Sequence, residues 1–453
     1  METSSGSREL SWVEHPFAEL VRLSWPITVS TLSYSVMTLV DTLLVGHLGA
    51  AQLAGVGLGG TAAFVLLCFS FGLLRGAKTL VSQAVGAQQQ HEVAAYLGAA
   101  LLFALGIGVI TLGLGQLLAL VLPHISASHE AGESARTYLS IRTLGAPMAI
   151  LYVALREVRY GESDARSPMM ATVLANVVNI ALATTFVYGM HWGVAGAAWA
   201  TVIAHGVEAG MLVLVQSRVG GWGIGVTTAR HLRALWRVGM PTAIQFTLEV
   251  GSFAMLAAMV AALSETQMAA HQIALQVIHF SFLPAFAVAE AASVLAGQAV
   301  GANRDYLVTQ IARLAMAAAG VYTGFCTLVL VVGSPLIVSG FTSDPLLAAT
   351  AIRLLHVGAV FQIFDGANIV ARATLRGTGD VRYPAVVGVL TSWALTPPLT
   401  WLLGYRFGLG AFGGWLGLCA EIIAGALILW WRLERRRWKA SAILCREELL
   451  LVS

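Results

Sequence analysis

The sequence predicts an all-α integral membrane protein, twelve transmembrane helices in two six-helix bundles related by an internal repeat. Three observations carry this. The 453 residues are 57% hydrophobic and only 11% charged, with a mean hydropathy of +0.78, whereas soluble domains carry about 25% charged residues. Apolar runs long enough to cross a bilayer recur between polar breaks along the whole chain. The pentapeptide Gln83–Ala87 returns unchanged at Gln298–Ala302.

The runs place spans at 17–45, 54–80, 94–122, 137–157, 168–188, 193–217, 236–262, 268–297, 308–338, 350–373, 384–404 and 410–431. Orientation follows from the basic residues, which gather on the cytoplasmic side. Arg156, Arg159 and Arg166 follow the fourth span, Arg218, Arg230, Arg233 and Arg237 the sixth, and Arg372, Arg376 and Arg382 the tenth. Arg304 and Arg313 flank the connection after the eighth, and the tail carries Arg432, Arg435, Arg436, Arg437 and Lys439. The connections after odd-numbered spans carry far fewer, mainly Arg136, Arg353 and Arg406. Both termini are therefore expected in the cytoplasm.

The repeat sets the domain plan. At the offset of the pentapeptide, 215 residues, Pro26 meets Pro241, Val45 meets Val260, Gln52 meets Gln267, Phe71 meets Phe286 and Leu80 meets Leu295. In all, thirteen of the 62 positions from Pro26 to Ala87 match without a gap. Six spans separate the copies, so both face the same way, and the halves should be related by an axis along the membrane normal with a cavity between them. The expected lobes are 1–222 and 223–453, the second ending in the cytoplasmic basic tail, with the Gly-rich stretch Arg218–Arg230 as hinge.

A charge at membrane depth costs on the order of 2.5–3.5 kcal/mol on insertion scales, so each needs a reason. Asp41 in the first span shares a helical face with Thr38 and Tyr34. Burial favours its neutral form while hydroxyls or a bound cation favour the anion, a balance suited to taking and yielding a proton. Glu249 in the seventh span has Gln245 and Ser252 on its face. Asp365 in the tenth has Phe361, Gln362 and Asn368, with Arg372 a further turn on; a structural pair with Arg372 is the alternative, and a functional role is favoured for both acids. Two acids in one bundle can jointly hold a small cation or share a proton. Asn176 and Asn179 add polar groups in the fifth span. The remaining intramembrane polar residues read as structural. Arg75, Lys78 and Glu290 lie near cytoplasmic ends, where long side chains snorkel or pair. Glu208 and Glu421 read likewise, and His205, His271, His279 and His356 lack metal-ligand spacing.

Other classes fare worse. A net charge of +3 from 26 Lys and Arg against 23 Asp and Glu is too balanced for a nucleic-acid partner. The four cysteines stand apart with no ligand-like spacing. No basic segment and short apolar core open the chain over Met1–His15, so no cleaved signal is expected. An intramembrane enzyme needs a nucleophile and base or a metal cluster, and neither pattern occurs. A lipid-linked oligosaccharide flippase would need a basic cavity, for which Arg75, Lys78 and Arg372 are few and close to the cytoplasm. A passive channel is the third alternative, distinguished by flux that ignores an imposed ion gradient.

The chain resembles the multidrug and toxic compound extrusion family, with NorM-like and DinF-like features. The resemblance rests on Trp25-Pro26, Val40-Asp41-Thr42, Gly46-His47-Leu48-Gly49, Gln83–Gly86, Ala270–Ala274, Gln298–Asn303 and Leu375–Asp380 before Pro384, in that order. It implies an antiporter, not an enzyme, that expels amphiphilic organic cations in exchange for protons or sodium, with no cofactor beyond that ion. The family's amino-lobe acid falls on Asp41. Some members add an Asn with an Asp four residues later. Asn179 fits the first, and Ala183 stands in the acid's place. The acids typical of the NorM-like branch fall on Glu249 and Asp365, where a sodium ion is expected if one binds, and the tyrosine one turn before is Phe361. Asp41, Glu249 and Asp365 are thus the expected coupling and substrate-binding residues, supported by Tyr34, Thr38, Asn176, Asn179, Gln245, Gln362 and Asn368. The expected setting is a plasma membrane, as in the bacterial inner membrane, with lipids as the only other partners and one subunit sufficient for function.

Overall fold

The computed structural model describes residues 10–126 and 128–450, apart from the side chains of 447–450, so the first nine residues of the Met1–His15 segment lie outside the described residues. Every regular element among these is helical. In chain order they are α1 (Pro16–Gly46), α2 (Ala50–Gly86), α3 (Gln90–Ile125), α4 (His129–Leu144), α5 (Ala146–Gly161), α6 (Arg166–Thr184), α7 (Gly193–Val219), α8 (Ala229–Ala261), α9 (Glu265–Gly301), α10 (Asp305–Ser339), α11 (Pro345–Gly377), α12 (Arg382–Leu399), α13 (Ala411–Glu434) and α14 (Lys439–Leu450). Eleven spans are long and apolar enough to cross a membrane as they stand, two of them extended by the wide turns below, and α4 with α5 makes a twelfth, bent by 48°. The break falls at Gly145, where the Gly145 N–H turns back to the Arg142 carbonyl.

Two compact units result. The amino unit comprises 29–85 and 89–243, and the carboxy unit 1–28, 86–88 and 244–453. The chain passes between them inside α1 after Thr28 and inside α8 after Ala243, in each case two residues beyond the repeat proline, Pro26 or Pro241. Both helices run on through those prolines.

The repeat is visible in matched local geometry. Gln88 and Asn303, 215 apart, both adopt the left-handed conformation, at φ 59° and 61°. The fifth span of each half ends in a wide π-helical turn, Thr185–Gly189 after α6 and Thr400–Arg406 after α12. Each of those turns carries a tyrosine that donates to a carbonyl of the half's first helix: Tyr188 to Leu44 at 2.8 Å, Tyr405 to Met259 at 2.5 Å. Leu44 and Met259 are again 215 apart. Small residues let the backbones close. In the amino unit, a Cβ at Gly76 would stand 2.8 Å from the Gly239 nitrogen, so α2 and α8 cross in direct backbone contact.

The Arg218–Arg230 stretch is tied to α3 within the amino unit. Thr227 donates to the Ala95 carbonyl at 2.9 Å, and His231 meets Glu92 at 3.3 Å. Gly223, at φ +71°, lies so close to the Ala94 carbonyl that no side chain fits there.

Candidate functional site

Within the amino unit, α1, α6 and α7 bring Asp41, Asn179 and Thr201 together. Asp41 is 9%, Asn179 0% and Thr201 1% exposed. The Thr201 hydroxyl lies 3.4 Å from Asp41 Oδ2, accepts from Asn179 Nδ2 at 3.4 Å, and is 3.0 Å from the Ala197 carbonyl. One hydroxyl proton therefore faces two acceptors. Asp41 Oδ1, Asn179 Oδ1 and Asn176 Oδ1 are buried and have no hydrogen-bond donor. The cluster is short of donors, and a proton on Asp41 or a cation beside it would supply what is missing.

The other amino-unit candidates are placed less centrally. Asn176 donates to the Ser33 hydroxyl. Thr38 spends its hydroxyl on the Tyr34 carbonyl at 3.2 Å, and Tyr34 is 40% exposed, so neither is hydrogen-bonded to Asp41. Ala183, at the position where some members of the resembled family were expected to carry an acid, is fully buried.

Within the carboxy unit, α8, α11, α12 and α13 build a second cluster. Arg372 Nη1 donates to both oxygens of Glu249, at 2.8 and 2.9 Å, while its Nη2 lies 3.4 Å from Asn368 Oδ1. Gln245 Nε2 donates to Glu249 Oε1 at 3.0 Å. Asp365 is within electrostatic reach of both Arg372 and Glu249. The basic partner of Glu249 thus comes from α11, and the plain pairing of Asp365 with Arg372 along one helix gives way to a pair between helices. Gly388 on α12 makes room, since a Cβ there would run into Glu249 and stand 2.7 Å from Gln245 Nε2.

Gln362 is used elsewhere, accepting from Ser281 at 2.5 Å and donating to the Thr323 carbonyl at 3.1 Å. Phe361 packs in the apolar core, its ring 5.8 Å from that of Trp415.

Sequence reasoning missed two residues. Glu421 on α13, read as structural, accepts from the Thr396 hydroxyl and interacts electrostatically with Glu249, Arg372 and Asp365. Three carboxylates then share the field of one guanidinium. Arg142 on α4 donates to His205 and reaches Asp41 by its charge. Neither residue gives a sequence signal, because the partners sit on other helices. No group of three or more His, Cys, Asp and Glu residues able to hold a metal ion occurs among the described residues.

The MatE family model matches residues 26–185 and 241–402, one match for each copy of the repeat and each beginning at the repeat proline. The chain is 29% identical over 442 residues to the probable multidrug resistance protein NorM of Bradyrhizobium diazoefficiens, covering 93% of this chain and 94% of that one. It is 30% identical over 445 residues to the protein of the same name from Burkholderia pseudomallei, covering 92% of each. Among solved structures it superposes on a MOP superfamily transporter from Pyrococcus furiosus with a TM-score of 0.87 at 22% identity, covering 94% of this chain and 96% of that one. A MATE protein in its bent conformation matches with a TM-score of 0.88 at 21% identity, covering 97% and 100%. These last two likenesses concern the fold.

Proposed function

The chain belongs to the MatE family, and from that premise we propose that it is a multidrug efflux antiporter, exporting amphiphilic organic cations in exchange for protons or sodium by alternating access. The single observation that carries the reading is the donor deficit around Asp41: its Oδ1 and the Asn179 Oδ1 are buried without a donor. Such a site is completed by a proton or by a cation, and one excludes the other. Protonation of Asp41 removes the counter-charge of an organic cation, which then leaves. Exchange follows from electrostatics alone.

Glu249 and Asp365 are proposed as a second coupling and substrate-binding pair, with Gln245 and Asn368 in support. Tyr34, Thr38, Asn176 and Gln362 are proposed as polar residues bordering the two clusters. A sodium ion at Glu249 and Asp365 is the second reading for the driving ion. It is favoured by the excess of acid there, three carboxylates to the one guanidinium of Arg372. Occupation would require the Arg372 guanidinium to give up at least one Glu249 oxygen.

The lobes 1–222 and 223–453 are proposed to move against each other, in a bacterial inner membrane with both termini cytoplasmic, as a single subunit among lipids. The test is ethidium or norfloxacin counterflow in proteoliposomes under separate proton and sodium gradients, for the native chain and for Asp41→Asn, Glu249→Gln and Asp365→Asn. Gradient-driven efflux lost in Asp41→Asn supports the reading. Unchanged efflux in all three defeats it.

A further inference from the structure

The amino unit carries a charged chain that the antiport reading leaves unused. Arg142 Nη1 on α4 is 2.9 Å from His205 Nε2 on α7, and His205 Nδ1 is 3.2 Å from Glu208 Oε2 one turn further along α7. A guanidinium only donates, so His205 Nε2 must accept. The ring proton then sits on Nδ1 and is donated to Glu208. His205 is therefore neutral and fixed in one tautomer for as long as Arg142 is bound to it.

The position of this chain gives it a consequence. His205 follows Thr201 by one helical turn on α7, and Thr201 is the hydroxyl against Asp41. The Arg142 charge already acts on Asp41, Tyr34 and Tyr138. Its Nε is buried without a hydrogen-bond partner. Beside it lies a cavity of about 10 Å³, lined by Arg142, His205, Thr111 and Thr143 among others, about the space of one water. The guanidinium is thus held by His205 and Tyr138, with this small cavity beside it.

We propose that Arg142 is a tethered cation that competes with the driving ion and the cargo for Asp41, and that His205 with Glu208 is the dock that holds it off. The inference rests on the antiport reading and adds to it an internal competitor. A proton on His205 Nε2 and the Arg142 hydrogen bond to that atom exclude each other. Taking up one proton at Nε2 breaks the Arg142–His205 hydrogen bond and leaves the guanidinium held by Tyr138 alone. The guanidinium is within electrostatic reach of Asp41 and, once off His205, can clear it of cargo. The surrounding groups fit this: Arg142 from α4 and Glu208 on its own helix face His205, Tyr138, Tyr34 and Asp41 act on Arg142, and Glu208 with Arg156 acts on Tyr152 of α5.

The experiment measures ethidium binding to the purified full-length protein and ethidium efflux from proteoliposomes across pH. His205→Leu removes the acceptor and leaves Arg142 free to sit on Asp41, so binding and efflux should fall by about ten-fold, within the usual range for coupled sites. Arg142→Gln added to His205→Leu should recover several-fold over the single variant, because the competitor is gone. His205→Gln keeps an acceptor but no titrating ring. It should likewise recover several-fold over His205→Leu, with a pH profile flatter than the native one. A double variant no better than His205→Leu, or a His205→Gln profile that superposes on the native profile, overturns the inference. Native protein that neither binds nor pumps an organic cation overturns the antiport reading and this with it. Native protein that does both, with His205→Leu unimpaired, overturns this inference alone.

Discussion

Arg372 on α11 holds both carboxylate oxygens of Glu249 on α8 from a single nitrogen, Nη1, at 2.8 and 2.9 Å. The two side chains are 16% and 17% exposed, so the pair is largely withdrawn from solvent. Removing one partner of such a pair leaves the other charge uncompensated. Arg372→Gln should therefore destabilise the protein by on the order of 2 kcal/mol, and Glu249→Gln added to it should return part of that loss. Thermal unfolding in detergent, followed by loss of the monodisperse peak, checks both. Equal stability of native and Arg372→Gln protein would show the pair to be without consequence.

Gly388 tests the same carboxylate from the opposite side. Its Cα faces Glu249 and Gln245 so closely that an added methyl cannot fit without moving the acid. Gly388→Ala should lower gradient-driven efflux by about ten-fold, since displacement by even about 1 Å disrupts a site of fixed geometry. Shortening the acid in the double variant Gly388→Ala with Glu249→Asp should recover part of the activity. Efflux of Gly388→Ala at the native rate would mean that the position of Glu249 does not matter to transport.

Glu421 should respond as a third member of the carboxy cluster. It shares the field of Glu249, Asp365 and Arg372 and accepts from Thr396. Glu421→Gln lowers the local negative charge by one while keeping a hydrogen-bond acceptor for Thr396. The expected outcome is sodium- or proton-driven efflux that needs a several-fold higher ion concentration for half its rate, at unchanged protein yield. A half-saturating concentration equal to the native one would return Glu421 to a packing role.

The sequence carried the helices and the repeat because both are written in local order. Apolar runs locate spans, and the matched strings at 83–87 and 298–302 fix the pairing of the halves. The break at Gly145 was hidden because α4 is polar along much of its length, with Glu130, Glu133, Arg136 and Arg142, so an apolar window sees only its end. The site was legible only where acids stand out against an apolar helix, as Asp41, Glu249 and Asp365 do. What Arg372, Glu421 and Arg142 touch was not, because spacing along one helix shows neighbours at three, four and seven residues and nothing of the helices opposite. Arg372 illustrates this, since its nearest acid in sequence is Asp365 while its hydrogen bonds go to Glu249, 123 residues away.

The two tyrosines that close the wide turns offer a test of the repeat as a physical duplication. Tyr188 and Tyr405 each donate one hydrogen bond to a carbonyl of the first helix of their half. Tyr188→Phe and Tyr405→Phe should each cost about 1 kcal/mol, the ordinary net worth of one hydrogen bond. The two bonds share no residue and lie in separate units, so the double variant should show the sum of the single losses. Unequal or strongly non-additive shifts in thermal unfolding would separate the two halves mechanically.

Thr201 is where the amino-unit cluster is most exposed to a single change. Its hydroxyl links Asp41 and Asn179, accepting from the amide and facing the carboxylate at 3.4 Å in each case. Thr201→Val keeps the shape and deletes that link, so the Asn179 amide loses an acceptor and Asp41 loses its remaining donor in a buried setting. Each orphaned group costs about 1–3 kcal/mol. For Asp41 the cost falls mainly on the charged form, which is the form an organic cation requires. Cation binding should therefore weaken more than overall stability. Thr201→Ser restores the hydroxyl with one methyl fewer and should restore binding. The check is ethidium affinity beside thermal unfolding for both variants. If Thr201→Val binds ethidium as tightly as native protein while Asp41→Asn does not, Asp41 acts without its hydroxyl neighbour and the donor deficit is not what tunes it.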